Sequence, residues 1–203
     1  MADVRSQIAA LGPIPALIEE GIIELLRALF EDADGDGQAD LVRDTMLKSY
    51  YWNSDHTKSR IVITSASMFD IKTASTAIVV SRDTASLIPI GNQDGFIFQA
   101  DDSDVETHGF LSSCTFSIIC RSPETAAHAD RLACEVAFRF KEIQRQIEDD
   151  FKLKDFEVTA IGAPQRSSDR LWTVVVQVKT IGTHHYTINP TLLPSRLKSD
   201  FDM

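Results

Sequence analysis

At 203 residues, with 43% hydrophobic and 25% charged side chains, the chain is long enough to bury a real core and too apolar for global disorder. Its formal charge of −10 excludes a protein that grips nucleic-acid phosphates through a basic footprint, while leaving room for a surface that DNA merely passes. A single domain is expected over 1–203, with its core at about 15–180 and a C-terminal arm over about 181–203.

The first residues, Met1 to Arg5, carry an early acid and no long apolar stretch, so they do not resemble a secretory signal. Glu19, Glu20, Glu24 and Arg27 interrupt the most apolar run before it reaches membrane-spanning length. A soluble intracellular protein is the expectation. Residues 1–12 read as a short helix ending near Gly12, and Pro15 then suits the opening of a second helix that runs to about Phe30. Ile18, Ile22, Leu25 and Leu29 form its apolar stripe, widened by Leu17, Ile23 and Leu26. So broad a stripe calls for contacts on more than one side, from the chain's own core or from a neighbouring subunit.

The segment after this helix is densely acidic. Asp32, Asp34, Asp36 and Asp40 stand at relative positions one, three, five and nine, with Gly37 at six and the carbonyl of Gln38 available at seven. Oxygen donors at that spacing can wrap a hard cation, and the pattern resembles the short calcium loops of EF-hand, dockerin and integrin-repeat type. It departs from the EF-hand at position twelve, where Arg43 replaces a bidentate Glu and Asp44 comes one residue late. Two readings stay open: a Ca2+ loop with Asp32, Asp34, Asp36, Gln38 and Asp40 as ligands, or a solvated acidic turn built from good turn formers.

Tyr50, Tyr51 and Trp52 read as core or subunit-contact material rather than a ligand cage. Arg60 to Thr64 is a strand, Ser65 to Ala74 is irregular, and Thr76 to Ser81 is a strand too apolar for a solvent-washed edge. Leu87 to Asn92 reads as a short edge strand interrupted by Pro89, and Asn92 to Gly95 as a turn. Gln99 to Gly109, with Asp101, Asp102, Asp104 and Glu106, reads as an exposed, mobile acidic loop.

From Phe110 the pattern sharpens. Cys114, Phe116, Ile118 and Cys120 alternate with Thr115, Ser117 and Ile119, the period-two signature of a strand with one buried face. Ser122 as cap, Pro123 in the first helical position and Glu124 beside the positive end of the helix dipole then open a long helix. Ala129, Leu132, Val136, Phe140, Ile143 and Ile147 line its buried stripe, with Arg131, Glu135, Arg139, Glu142 and Glu148 mostly on the other side. Phe156 to Ile161 and Leu171 to Val178 close the domain as a two-stranded hairpin around a polar loop. Beyond Val178, Thr180 to Asn189 holds His184, His185 and Tyr186, and Pro190 to Pro194 reads as extended. The fold class expected is α+β: an antiparallel or mixed sheet, an N-terminal helix, a long helix on one face, and extended loops or arms.

No catalytic constellation is legible. The chain lacks G-x-S-x-G, P-loop, G-x-G-x-x-G and H-E-x-x-H patterns, so no catalytic residue is assigned and an enzyme is not expected. His184 and His185 are adjacent and would point to opposite faces of a strand. His128, near Asp130, reads as a surface helix residue, and His56 and His108 fall in polar loops. Cys114 and Cys120 are roughly 20 Å apart along a strand, too far to bridge. With Cys134 they read as small buried hydrophobes in a reducing compartment.

The order of these elements resembles that of the tail terminator and tail completion (neck) proteins of tailed bacteriophages. The likeness runs from about Pro15 to Val178 and rests on the apolar helix ending in Leu29-Phe30, the strands Arg60 to Thr64 and Ala77 to Ser81, the alternating strand Ser113 to Cys120, the helix opened by Arg121-Ser122-Pro123, and the closing hairpin. The resemblance implies a subunit that forms a ring, usually a homo-hexamer, on the last ring of the tail tube. Its partners would be the tail tube protein, the sheath where the tail is contractile, and the head–tail connector, with DNA passing through the bore unbound. It implies a virion protein assembled in the host cytoplasm, with no catalytic residues. The acidic balance suits a bore that repels DNA, and the calcium-like loop is no part of what the resemblance implies.

Overall fold

A computed structural model describes residues 13–55, 57–69, 75–88, 96–99, 106–167 and 170–188. The expected α+β class is what it contains: three helices and a mixed, mostly antiparallel sheet. The helices are α1 (Pro15–Leu29), α2 (Ala126–Glu142) and α3 (Gln144–Phe151). The strands are β1 (Val62–Ser65), β2 (Ala77–Ile88), β3 (Phe96–Gln99), β4 (Glu106–Ser122), β5 (Leu153–Ile161), β6 (Gln165–Arg166) and β7 (Trp172–Ile188). Their order is β1-β2-β4-β7-β5, with β3 added beside β4 and β6 beside β7. Among the named strands only β1 and β2 pair in parallel.

Register explains the core. Ile63, Ile78, Cys120 and Val174 are cross-strand partners, as are Val80, Ile118 and Val176, and then Phe116, Val178 and Val158. Because side chains alternate between faces, these rows all point the same way. α1 covers them over β1 and β2, and α2 covers β4, β7 and β5, with α3 over β5. Ile18, Ile22, Leu26, Leu132, Val136 and Phe140 are buried in the resulting cluster. Val79 and Ala77 are buried as well but lie outside that cluster, on the opposite face. There the Arg121 guanidinium stands 5.1 Å from the Phe69 ring centre.

α1 answers the question its broad stripe raises. The chain's own core closes over it: Ile18, Ile22, Ile23, Leu26 and Leu29 are all buried, and Leu17 and Leu25 are half-buried against the cluster. Pro15 opens the helix as expected, and no side chain caps it.

Several boundaries differ from the sequence reading. α2 begins at Ala126, three residues later than expected. Its cap is Thr125, whose hydroxyl accepts the His128 amide, while Ser122 accepts the amide of Glu124 one turn earlier. The expected long helix is two, broken at Ile143. Lys152 then ends α3 in the left-handed conformation, φ 54°. β2 continues to Ile88, so Leu87 and Ile88 belong to it rather than to a separate edge strand.

The largest difference is length. β4 and β7 are 17 residues each and pair along their whole extent, from Ser122 opposite Trp172 to Glu106 opposite Ile188. Glu106 to Gly109, expected in a mobile loop, and Gln99 are strand; residues 100–105 lie outside the described residues. Residues 181–188, expected in a C-terminal arm, are the last part of β7, and residues 189–203, with the expected extended Pro190 to Pro194, lie outside the description. The short helix expected over 1–12 and the turn over 92–95 also lie outside it.

Candidate functional site

Two features stand out against this core: an acidic loop clamped to the outside of α2, and a sheet that outruns the described helices. The loop follows from its sequence. Gly35 (φ 75°) and Gly37 (φ 80°) take left-handed conformations that a side chain would resist. The acids around them fold the turn by accepting its amides. Asp32 Oδ2 accepts from Gly37 at 3.1 Å, Asp36 Oδ1 from Gln38 at 2.9 Å, and Asp40 Oδ2 from Ala33 at 2.9 Å. The loop closes on the chain behind it through Ala39 to the Lys48 carbonyl (2.8 Å) and Asp40 to the Glu31 carbonyl (3.3 Å).

As a cation site this set fits incompletely. Each of the three carboxylates uses one oxygen on the loop's own amides, and Asp34 and Gln38 are exposed. Asp32 Oδ1 is buried without a hydrogen-bond partner, the one atom of the loop that a cation would satisfy. Arg43 occupies the twelfth position, and its guanidinium reaches away to Glu142 at 2.5 Å. Among the described residues, no group of three or more His, Cys, Asp or Glu side chains is gathered to hold a metal ion.

The clamp was not legible beforehand. Glu135, expected on the polar side of the helix, is buried and accepts the Arg43 amide at 2.9 Å and the Arg139 Nε–H at 3.3 Å. Arg139 also donates to Glu142 at 2.8 Å and to the Leu41 carbonyl. Those bonds hold the Glu142 carboxyl below the usual carboxylate range, the Arg139 hydrogen bond contributing most. Arg131 pairs with Asp44 at 3.1 Å. The i, i+4 spacing of Glu135 and Arg139 was the available signal, but it marks surface pairs more often than buried ones. Phe138 stands 68% exposed beside this network, at an open groove lined also by Arg43 and Lys141.

A second polar knot sits where β4 enters α2. His128, expected on the surface, is 7% exposed, with Nδ1 2.9 Å from the buried Ser122 hydroxyl. Its ring meets that of Tyr50 at 4.5 Å between centroids, and the Tyr50 hydroxyl donates to Glu124. Burial and that bond push the Tyr50 phenol up to about 12. Tyr51 and Trp52 pack half-buried on the core, and Arg27 lies over the Trp52 ring at 5.5 Å. Cys114 and Cys120 are buried and Cys134 half-buried, all as free thiols raised by burial. His184 and His185 lie on β7 opposite Phe110 and Gly109; His56 lies outside the description, and His108 is in β4 rather than a loop.

The sheet's overhang is the larger feature. Seventeen strand residues span about 55 Å, while seventeen helical residues span only about 26 Å. β5 stops pairing at Leu153 opposite Gly182, and β2 stops at Ile88 opposite Leu111. Beyond those rows β4 and β7 continue as a ribbon, joined by β3 at Gly109 to Glu106. The outer half of β2, Arg82 to Leu87, is exposed throughout. A shift of register at Asp83 bends this half, and the Asp83 carboxylate accepts the Ser117 hydroxyl at 2.5 Å.

No protein-family model matches the chain, and no curated protein matches it at a significant level.

Proposed function

We propose that the chain is a structural subunit of a bacteriophage tail, closing with copies of itself into a ring at the head-proximal end. There it ends growth of the tail tube and joins the tail to the head connector, with DNA passing through the bore. The observation that supports this most is the ribbon of β3, β4 and β7 beyond the helix layer. Five further rows of paired strand, roughly 17 Å, run past the last pairings of β2 and β5. They extend the sheet's reach, as a subunit that must grip neighbours requires. The net charge of −10 favours a wall that DNA slides past rather than one that holds it. The element order resembles that of tail terminators, and the apolar stripe of α1 is buried by its own domain.

The test is light scattering on the purified chain across a concentration series, followed by electron microscopy with the tube protein of the same virus. A closed oligomer that caps short tubes is the expected result. A compact monomer at every concentration that leaves tube length unchanged would sink the proposal.

The orphaned Asp32 Oδ1 favours a second reading, a non-enzymatic calcium-binding interaction module using Asp32, Asp34, Asp36, Gln38 and Asp40. It expects a melting temperature that climbs with calcium and drops with chelator.

A further inference from the structure

We propose that His128 is an acid-sensitive latch joining the start of α2 to the loop that carries Tyr50: the neutral ring closes the contact and the protonated ring opens it. The geometry supplies both states. On one edge, Nδ1 is 2.9 Å from Ser122 Oγ, a hydroxyl that is fully buried and already accepts the Glu124 amide at 3.1 Å. On the other edge, Nε2 is buried and has no hydrogen-bond partner. The Tyr50 ring leans on the imidazole at 4.5 Å, tilted by 55°.

A neutral imidazole carries one N–H. With that proton on Nδ1, bonded to Ser122, Nε2 is a bare lone pair, and leaving it dry costs comparatively little. Protonation puts an N–H and a positive charge where no acceptor waits, which is the expensive case.

The charged groups around the ring do not rescue the cation. Glu124, just before α2, and Asp44, on the loop, both favour it, while Arg131, one turn along α2, opposes it. Asp44 is engaged by Arg131 at 3.1 Å, and Glu124 takes the Tyr50 hydroxyl. Burial outweighs both acids and holds the ring below its ordinary value of 6.5. The sign follows. A folded-state value below the unfolded one means the unfolded chain binds the proton more readily. The latch's stabilisation is therefore complete above about pH 6.5 and lost as pH falls from there through the folded-state value.

The test compares urea unfolding midpoints of the full chain at about pH 7.5 and about pH 5 with those of His128→Gln and His128→Asn, which cannot take up a proton. The wild-type midpoint is expected to fall on acidification, and each variant's to fall by less than half as much. Should the variants lose as much as the wild type, the latch is refuted. A variant that fails to fold leaves the decision to the wild-type chain, through NMR titration of its histidine ring protons. A His128 resonance titrating below about 6.5, with amides of the Tyr50 loop losing protection relative to their intrinsic exchange rates as it does, supports the proposal; one titrating at or above that value overturns it.

Discussion

Gly21 lies in the middle of α1, where glycine ordinarily costs a helix about 0.5–1 kcal/mol relative to alanine. Here the rule reverses, because a Cβ would stand 2.5 Å from Cζ of Phe151, the aromatic end of α3. That ring is 2% exposed and has nowhere to swing. Gly21→Ala is expected to destabilise the domain by about 1–2 kcal/mol despite its better helix propensity. Phe151→Leu in the same chain should return part of the loss; a urea midpoint series checks both. Glu135 poses the opposite problem, a buried acid whose partners come from two segments. Removing it as Glu135→Ala strands the Arg43 amide and the Arg139 Nε–H, at a cost of about 2–4 kcal/mol. Glu135→Gln, which keeps an acceptor, should lose less. The apolar stripe that seats such residues was readable from spacing. Their burial was not, because Arg43 and Glu135 are 92 positions apart.

At the scale of the element, α2 is a helix whose start is defined by a short polar contact rather than by the proline in front of it. Thr125 satisfies the His128 amide at 3.1 Å, so Thr125→Ala should cost about 1 kcal/mol and leave the sheet unchanged. Thermal unfolding followed by helix and sheet bands separately would detect this. The sequence reading puts the cap at Ser122, and the structure puts it at Thr125. What decided between them is that β4 continues through Ser122, which places that hydroxyl inside the junction with His128 rather than at the helix start. The break at Ile143 has the same origin. The residue stripe continues unbroken through Ile143 and Ile147, but the chain turns there so that Phe151 can reach α1.

For the whole molecule, the decisive property is the mismatch between α2, about 26 Å long, and strands of about 55 Å. Leu87, 68% exposed on the outer half of β2, tests whether that overhang works between copies. Leu87→Glu should leave the unfolding midpoint within about 0.5 kcal/mol of the parent, since a surface change away from the core rarely does more. It should nevertheless shift the assembled form toward monomer in light scattering. Unaltered assembly would remove this edge of β2 from the contact, while a loss of folding would mean the overhang is part of the core after all.

By itself the sequence determined the class of the fold, the opening of α1 and the interior rows of β2, β4 and β7, because periods of 2 and 3.6 are local and survive without knowledge of the partner. Which polar groups go inside, where the long helix breaks, and how far the strands run past it were decided only by tertiary structure. Each depends on what a distant segment brings to the contact: Arg43 to Glu135, Tyr50 to His128, and Ile188 to Glu106.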